Sequence, residues 1–348
     1  MSDTGCFVLW DARKIRDYGI GEYIQGVLGE LSGIPICALG YKRDRELIGF
    51  PMIEVKSRGY TLYEQYEIWA KVKRAKPLIF HTPHYVFPIF YTGRLVVTIH
   101  DIIHLIYPHY FRFGAYQYAK LFIKEALRRA DAVITVSQRS RADLLSIYPA
   151  AKNRIYVIYN GLSEEYFGEV DPEAEESVRK FRPYILGVGN NKPHKRFDLL
   201  KRAFAALSRR GFNLVLAGFE GENRGGVFHL GFVERRLLKA LYKNAEVLVH
   251  PAEYEGFGFP PFEASALGTP VLSTRVGAVD EILGDTVTYF EKNDEKDLLE
   301  KLTDIVDNIS LYRSKAGRAR DVVKKLRWEN AARELKEIYS ALAPIGGA

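Results

Sequence analysis

At 348 residues the chain is about twice the usual domain size, so two domains are expected in place of one oversized core. Its 47% hydrophobic and 27% charged residues, with 29 Gly and 15 Pro, exclude disordered, collagen-like and coiled-coil chains. Fifty Lys and Arg against 43 Asp and Glu leave a charge of +7, which suits nucleotide phosphates, acidic lipid surfaces or nucleic acid without choosing among them.

The start carries Asp3 and Asp11 in place of a basic flank and a long apolar run, so no signal peptide is expected. Cys6 and Cys37 form neither a CxxC pair nor a ligand cluster, which argues against a disulfide framework and fits a reducing, cytoplasmic compartment. Short runs rich in Val and Ile then predict strands at 6–10, 34–39, 78–81, 95–100, 132–136 and 155–158, separated by helical patterns at 21–31, 62–74, 115–129 and 139–147. The longest stretch without Asp, Glu, Lys or Arg, 77–93, is 17 residues broken by Pro83 and Pro88 and is too short to span a bilayer. Residues 169–183, with Glu169, Asp171, Glu173, Glu175 and Glu176 and few large apolar side chains, read as a linker. Strands follow at 184–188, 213–217, 227–230, 245–250, 270–273 and 287–290, and the chain ends in helices at 297–305, 311–325 and 328–342. Strand and helix alternate throughout, so the fold class is α/β with two tandem Rossmann-like, doubly wound domains. The expected limits are 1–168, linker 169–183, 184–326, and a terminal helix in 327–348. Four Gln and two Met among many Lys, Arg and Glu suggest a thermophilic source.

In open parallel sheets ligands bind beyond the carboxyl ends of strands, and four such places carry chemistry-bearing residues. Gly19 and Gly21 are expected to open a helix and to bring backbone N–H groups to an anion; the same glycines would also serve a tight turn. His100-Asp101 ends a strand, where an imidazole oriented by a carboxylate can meet a sugar hydroxyl or phosphate; His81, His84, His104 and His109 lack metal-ligand spacing and read as loop and core histidines. Gly187-Val188-Gly189-Asn190-Asn191-Lys192-Pro193-His194-Lys195-Arg196 follows a strand and precedes a helix at 197–208. Asn190, Lys192, Lys195 and Arg196 in such a loop would hold a diphosphate without a metal. Finally, Gly256, Phe257 and Gly258 free the backbone beside Glu255, and Pro260-Pro261 start a helix that would place Glu263 in its first turn. Glu263 can accept from a ribose diol and Glu255 from hydroxyls of a transferred sugar.

Glu255-x7-Glu263 within Tyr254-Glu255-Gly256-Phe257-Gly258-Phe259-Pro260-Pro261-Phe262-Glu263-Ala264, followed by Ala266-Leu267-Gly268-Thr269-Pro270-Val271, resembles the GT-B-fold retaining glycosyltransferases of family 4. Asp11-Ala12-Arg13, Gly19-Ile20-Gly21, Val97-Thr98-Ile99-His100-Asp101, Tyr159-Asn160-Gly161 and the Lys195 loop occur in the order that resemblance requires. It implies two domains facing across a cleft, a nucleotide-sugar donor on the second, a glycan or lipid-linked acceptor on the first, and a last helix crossing back to the first domain. It also implies Lys195 on the diphosphate, Glu263 on the ribose, Glu255 and the amides of Phe257 and Gly258 on the sugar, His100 near the sugar and Gly21 at the phosphate. The family often has Arg where this chain has Asn190, which would leave that charge to Lys192 or Arg196. The expected activity is metal-independent transfer of a hexose, mannose from GDP-mannose first, in polysaccharide biosynthesis. No cofactor is expected beyond that donor or a UDP-sugar, and no nucleic acid partner, with peripheral membrane contact through 60–76 and 111–129. The competing readings are a nucleotide-sugar epimerase of the same fold and a basic nucleic-acid-binding protein.

Overall fold

The computed structural model describes residues 6–57 and 59–343. The chain divides into two units, Met1–Gly161 with Arg327–Ala348, and Leu162–Leu326. The first holds a parallel sheet of β1 (Val8–Asp11), β2 (Ile36–Gly40), β3 (Met52–Glu54), β4 (Ile79–Thr82), β5 (Leu95–Thr98), β6 (Ala132–Thr135) and β7 (Ile155–Val157), in the order β3-β2-β1-β4-β5-β6-β7. The second holds β8 (Tyr184–Val188), β9 (Asn213–Ala217), β10 (Val227–His229), β11 (Val247–His250), β12 (Val271–Ser273) and β13 (Thr288–Tyr289), in the order β10-β9-β8-β11-β12-β13. Strands such as Leu95–Thr98 and Ala132–Thr135 are buried at every position, which is why they read as unbroken apolar runs in place of alternating ones. Each sheet reverses its strand order beside its first strand, between β1 and β4 and between β8 and β11; such a switch point opens a crevice at the strands' carboxyl ends.

Helix starts follow from local chemistry. Thr61 caps Leu62–Ala75 by accepting from the Glu64 amide at 3.1 Å, and Asp294 caps Glu295–Asp307 by accepting from the Asp297 amide at 2.9 Å. The expected linker is corrected by the same logic. Asp171 accepts from the Ala174 amide at 2.8 Å, Pro172 sits at the first position, and Glu173 and Glu175 lie in the first turn of a helix, Pro172–Arg179. The acidic run is therefore a helix N-terminus whose dipole favours carboxylates, and it belongs to the second unit, which begins at Leu162 and not after residue 183. Ala174 and Val178 are its buried residues.

The helix Trp328–Leu342 is part of the first unit. Tyr339 accepts from Trp10 Nε1 at 2.9 Å and also meets His81 Nδ1, while His81 Nε2 reaches Thr98 Oγ1 at 2.8 Å and Thr98 meets Tyr23 Oη at 3.1 Å. Trp10 can only donate, and one direction that satisfies the row runs from Trp10 to Tyr339, Tyr339 to His81 and His81 to Thr98. Burial holds the His81 pKa down at about 3, which keeps the ring neutral as that direction requires. Gly26 and Gly161 are glycine because a Cβ at either would strike Trp328.

Candidate functional site

In the second unit, the Lys195 loop follows β8 and the Glu255 loop follows β11, so the switch point brings together residues that lie 60 positions apart. The Glu253 amide donates to the His194 carbonyl at 2.8 Å and ties the two loops. Lys195 Nζ donates to Glu255 Oε1, and both side chains are only 14% exposed. His250, the last residue of β11, places Nε2 at 3.3 Å from the same oxygen. Burial raises the proton affinity of Glu255, but the Lys195 ammonium and then the His250 ring outweigh it and hold the carboxyl well below its usual range. Glu255 is thus an anion, and His250, whose pKa burial lowers against the pull of Glu255, is neutral.

The turn after Glu255 has a fixed polarity. A Cβ on Gly277 would meet the carbonyl oxygens of Glu255, Gly256 and Phe257, so those three carbonyls converge on one side. A trans peptide sets each N–H opposite its C=O, so the amides of Gly256, Phe257 and Gly258 point away from Gly277. Gly258 caps the helix Phe259–Ala266 at φ +92°, and a Cβ there would strike Val279; only glycine fits. Because the helix already includes Phe259, ahead of the proline pair, Glu263 is its fifth residue and lies beyond the first turn where the proline pair had suggested it. Its Oε2 accepts from Tyr242 Oη at 2.6 Å.

Two expected diphosphate ligands are placed differently. Arg196 donates to Glu253 Oε1 at 2.6 Å and to Asp198 Oδ1 at 3.1 Å, so its charge is already compensated and does not make up for the family's arginine. Asn190 is half-buried with its Oδ1 lacking a hydrogen-bond partner, and Lys192 is exposed beside Lys195 on the same loop.

In the first unit the helix expected at 21–31 is Tyr18–Glu30, so Gly21 lies inside it. Its amide donates to the Asp17 carbonyl at 2.5 Å, and a Cβ would strike the Ile15 carbonyl. Gly21 is therefore a packing glycine, not an anion donor, whereas Gly19 is exposed in the first turn, where amides lack intrahelical partners. His100 donates from Nε2 to the Pro83 carbonyl at 3.2 Å, and the Tyr23 ring edges it at 4.9 Å. Burial lowers its pKa to about 4 against that hydrogen bond. The neutral ring thus carries its proton on Nε2 and its lone pair on Nδ1, and it can accept from a ligand hydroxyl but not donate to a phosphate. Asp101 Oδ1 accepts from the Ile103 amide at 3.0 Å. Among the described residues no group of three or more His, Cys, Asp or Glu is placed to hold a metal ion.

Sequence reading left His250, Glu253 and Tyr242 without roles. The position of His250 at the carboxyl end of a strand, just before the glycine turn, was the available signal.

One family model lies on each unit: Glycosyltransferase Family 4 over residues 35–166 and Glycosyl transferases group 1 over residues 171–321. The chain is 26% identical over 301 residues to O-antigen chain mannosyltransferase B of Escherichia coli, covering 81% of this chain and 78% of that one. It is 27% identical over 249 residues to O-antigen chain mannosyltransferase RfbU of Salmonella typhimurium, covering 66% and 67%. HepE from Anabaena, in a crystal structure with UDP and glucose, shares the fold at a TM-score of 0.79 and 17% identity over 96% of this chain and 99% of that one. With each unit matched by its own half of that architecture, the chain belongs to the GT-B glycosyltransferases of family 4 and is a glycosyl-transferring enzyme.

Proposed function

We propose that this enzyme is a retaining, metal-independent hexosyltransferase that moves mannose from GDP-mannose to a hydroxyl of a glycan or lipid-linked acceptor, with no cofactor beyond the donor. The observation that carries the reading is the placement of Lys195, anionic Glu255 and the amides of Gly256, Phe257 and Gly258 around the switch point of the second sheet. Lys195 and Lys192 take the diphosphate, the amide row and Glu255 take the sugar, and Glu263, held by Tyr242, accepts from the ribose diol. As the donor C1–O bond breaks, charge develops on the leaving phosphate. Fixed donors aimed there contribute a few kcal/mol each, roughly 2.7–4 in studied cases. The departing phosphate oxygen takes the acceptor hydroxyl's proton while the new O–C1 bond forms on the same face, so the anomeric configuration is kept without a protein nucleophile. The names of the two bacterial relatives support mannose.

The test is a panel of GDP-, UDP-, ADP- and dTDP-hexoses incubated with a glycan acceptor in excess EDTA, with the product read by proton NMR. An axial anomeric signal from GDP-mannose is expected. Inversion, or inactivation by EDTA that Mg²⁺ or Mn²⁺ restores, contradicts the reading.

Among the described residues no helix is long and apolar enough to cross a membrane. Leu62, Tyr63 and Tyr66 stand exposed on the helix Leu62–Ala75 near Lys71, Lys73 and Arg74, and Phe113 is fully exposed. This mixed aromatic and basic surface is proposed to touch anionic lipid, each nearby cation contributing about 1 kcal/mol. Co-sedimentation with acidic vesicles at low salt is the expected outcome; protein left in the supernatant contradicts it.

A further inference from the structure

The Lys195 loop turns on an arginine in an unfavourable backbone. Arg196 takes φ +51°, in the left-handed region, where the chain leaves the short turn Pro193–Lys195 and enters the helix Phe197–Ser208. Glycine meets that conformation without steric cost and arginine does not. Such strain persists where the surroundings over-determine it, and it clusters at functional sites. Here the side chain supplies the hold. Arg196 donates through Nη1 to Glu253 Oε1 at 2.6 Å, and through Nε and Nη2 to the two oxygens of Asp198 at 3.1 Å and 3.4 Å. The guanidinium thus joins the Glu255 loop to the first turn of the helix that follows it. Asp198 is exposed and shared with Arg202 at 3.0 Å, whereas Glu253 is buried. An exposed pair holds weakly, so Glu253 is the firmer anchor.

Glu253 grips the loop at two points. Its carboxylate takes Arg196 and its amide donates to the His194 carbonyl at 2.8 Å, which places Lys195 between the two held residues. The stretch that carries Glu253 is itself supported, because Thr274 donates from its amide to the His250 carbonyl at 3.2 Å and from Oγ1 to the Ala252 carbonyl at 2.5 Å. Two residues further on, Glu255 takes Lys195. We propose that Arg196 and Glu253 are positioning residues that hold the backbone on both sides of Lys195 and so set where its ammonium stands. A lysine stem is four flexible carbons, and the anchoring of its Cα decides which atoms the ammonium reaches. The consequence for a bound diphosphate rests on the sugar-nucleotide reading; the placement of the ammonium does not.

Two measurements on the full chain test this. In the first, brief acetylation with acetic anhydride is read by peptide mass spectrometry as the ratio of Lys195 to Lys192 modified, with Lys192, exposed on the same loop, as the internal standard. The ratio is expected to rise at least threefold in Glu253→Ala and in Arg196→Gly, because Lys195 then leaves Glu255. A general loosening of the loop would raise both lysines together. Arg196→Gly suits the backbone, so it keeps the proposal testable if Glu253→Ala disturbs folding. In the second, GDP is titrated calorimetrically into the wild type, Glu253→Ala, Lys195→Ala and the double variant. Glu253→Ala is expected to weaken GDP at least fivefold alone and to add nothing in the Lys195→Ala background, since residues that act through one another are not additive. An unchanged labelling ratio in Arg196→Gly, or losses that add in the double variant, would overturn the proposal. A wild type that binds no GDP but shows the expected labelling shift removes the sugar-nucleotide reading and supports the positioning roles.

Discussion

The two units place loops after the same strands of the same kind of sheet and equip them with opposite electrostatics. In the first, Arg13 is closed between Asp11 and Glu64, and burial keeps His84 and His100 neutral. In the second, Lys195 is paired with Glu255, Lys192 stands exposed on the same loop, and a glycine turn presents backbone amides. Topology sets where each site lies; the few residues after each strand set what it holds.

The largest expected effect is one the units share. His81 and His100 in the first unit, and His194 in the second, are held by burial at about 3, about 4 and about 4, against 6.5 unfolded. The unfolded chain takes up protons below pH 6.5 that the folded chain refuses until about pH 4, so their stabilisation is complete above 6.5 and is lost as pH falls. The slope approaches about 1.4 kcal/mol per pH unit for each histidine. Amide hydrogen exchange at pH 7 and pH 5 should show both units opening more readily in acid. Acid sensitivity confined to one unit would break the comparison.

Charge removal should separate them. Arg13→Ala leaves two buried carboxylates uncompensated and is expected to cost about 3–5 kcal/mol of stability, seen as a large drop in the thermal midpoint. Lys195→Ala leaves the buried Glu255 with only the His250 ring and should also lower the midpoint, by less than Arg13→Ala because one carboxylate is stranded and not two, and it should cut kcat/KM about 10²–10³-fold by removing a donor to the leaving group. A stable, active Arg13→Ala would contradict the structural role given to the first unit's ion network.

Smaller effects divide the two glutamates. Glu263→Ala should weaken nucleotide binding about tenfold with little change in kcat, the loss of a charged hydrogen bond being roughly 1.5–3 kcal/mol. Glu255→Gln should lower kcat and strengthen binding of the free nucleoside diphosphate a few-fold, because Lys195 then has no carboxylate to leave. Steady-state kinetics and calorimetry on both variants check this, and weaker diphosphate binding in Glu255→Gln would remove the competition between Glu255 and phosphate.

Much of the fold was legible. Tyr184–Val188, Asn213–Ala217 and Phe197–Ser208 match their expected limits, because buried strands and an amphipathic helix bounded by Gly and Arg carry strong patterns. Met52–Glu54 was missed, since three half-buried residues on an edge strand make no apolar run. Pro172–Arg179 was hidden by its acidic first turn. At the site, residue types and loops were readable but pairings were not. Nothing local to the Lys195 loop says that Glu253, 57 positions away, will take Arg196, or that Glu255 will take Lys195. Those choices are made by the strand order that lays β8 against β11. Gly21 shows the same limit from the other side, because a glycine that lets a loop pack on a helix has the same letter as one that exposes an amide.

The most direct test of the central claim, that the second unit's switch point is a sugar-nucleotide site, is a calorimetric titration of GDP-mannose into the wild type and Lys195→Ala. The account predicts one-to-one binding to the wild type, weakened at least tenfold in Lys195→Ala at a temperature where both proteins are folded. Equal affinity in the two proteins would contradict it.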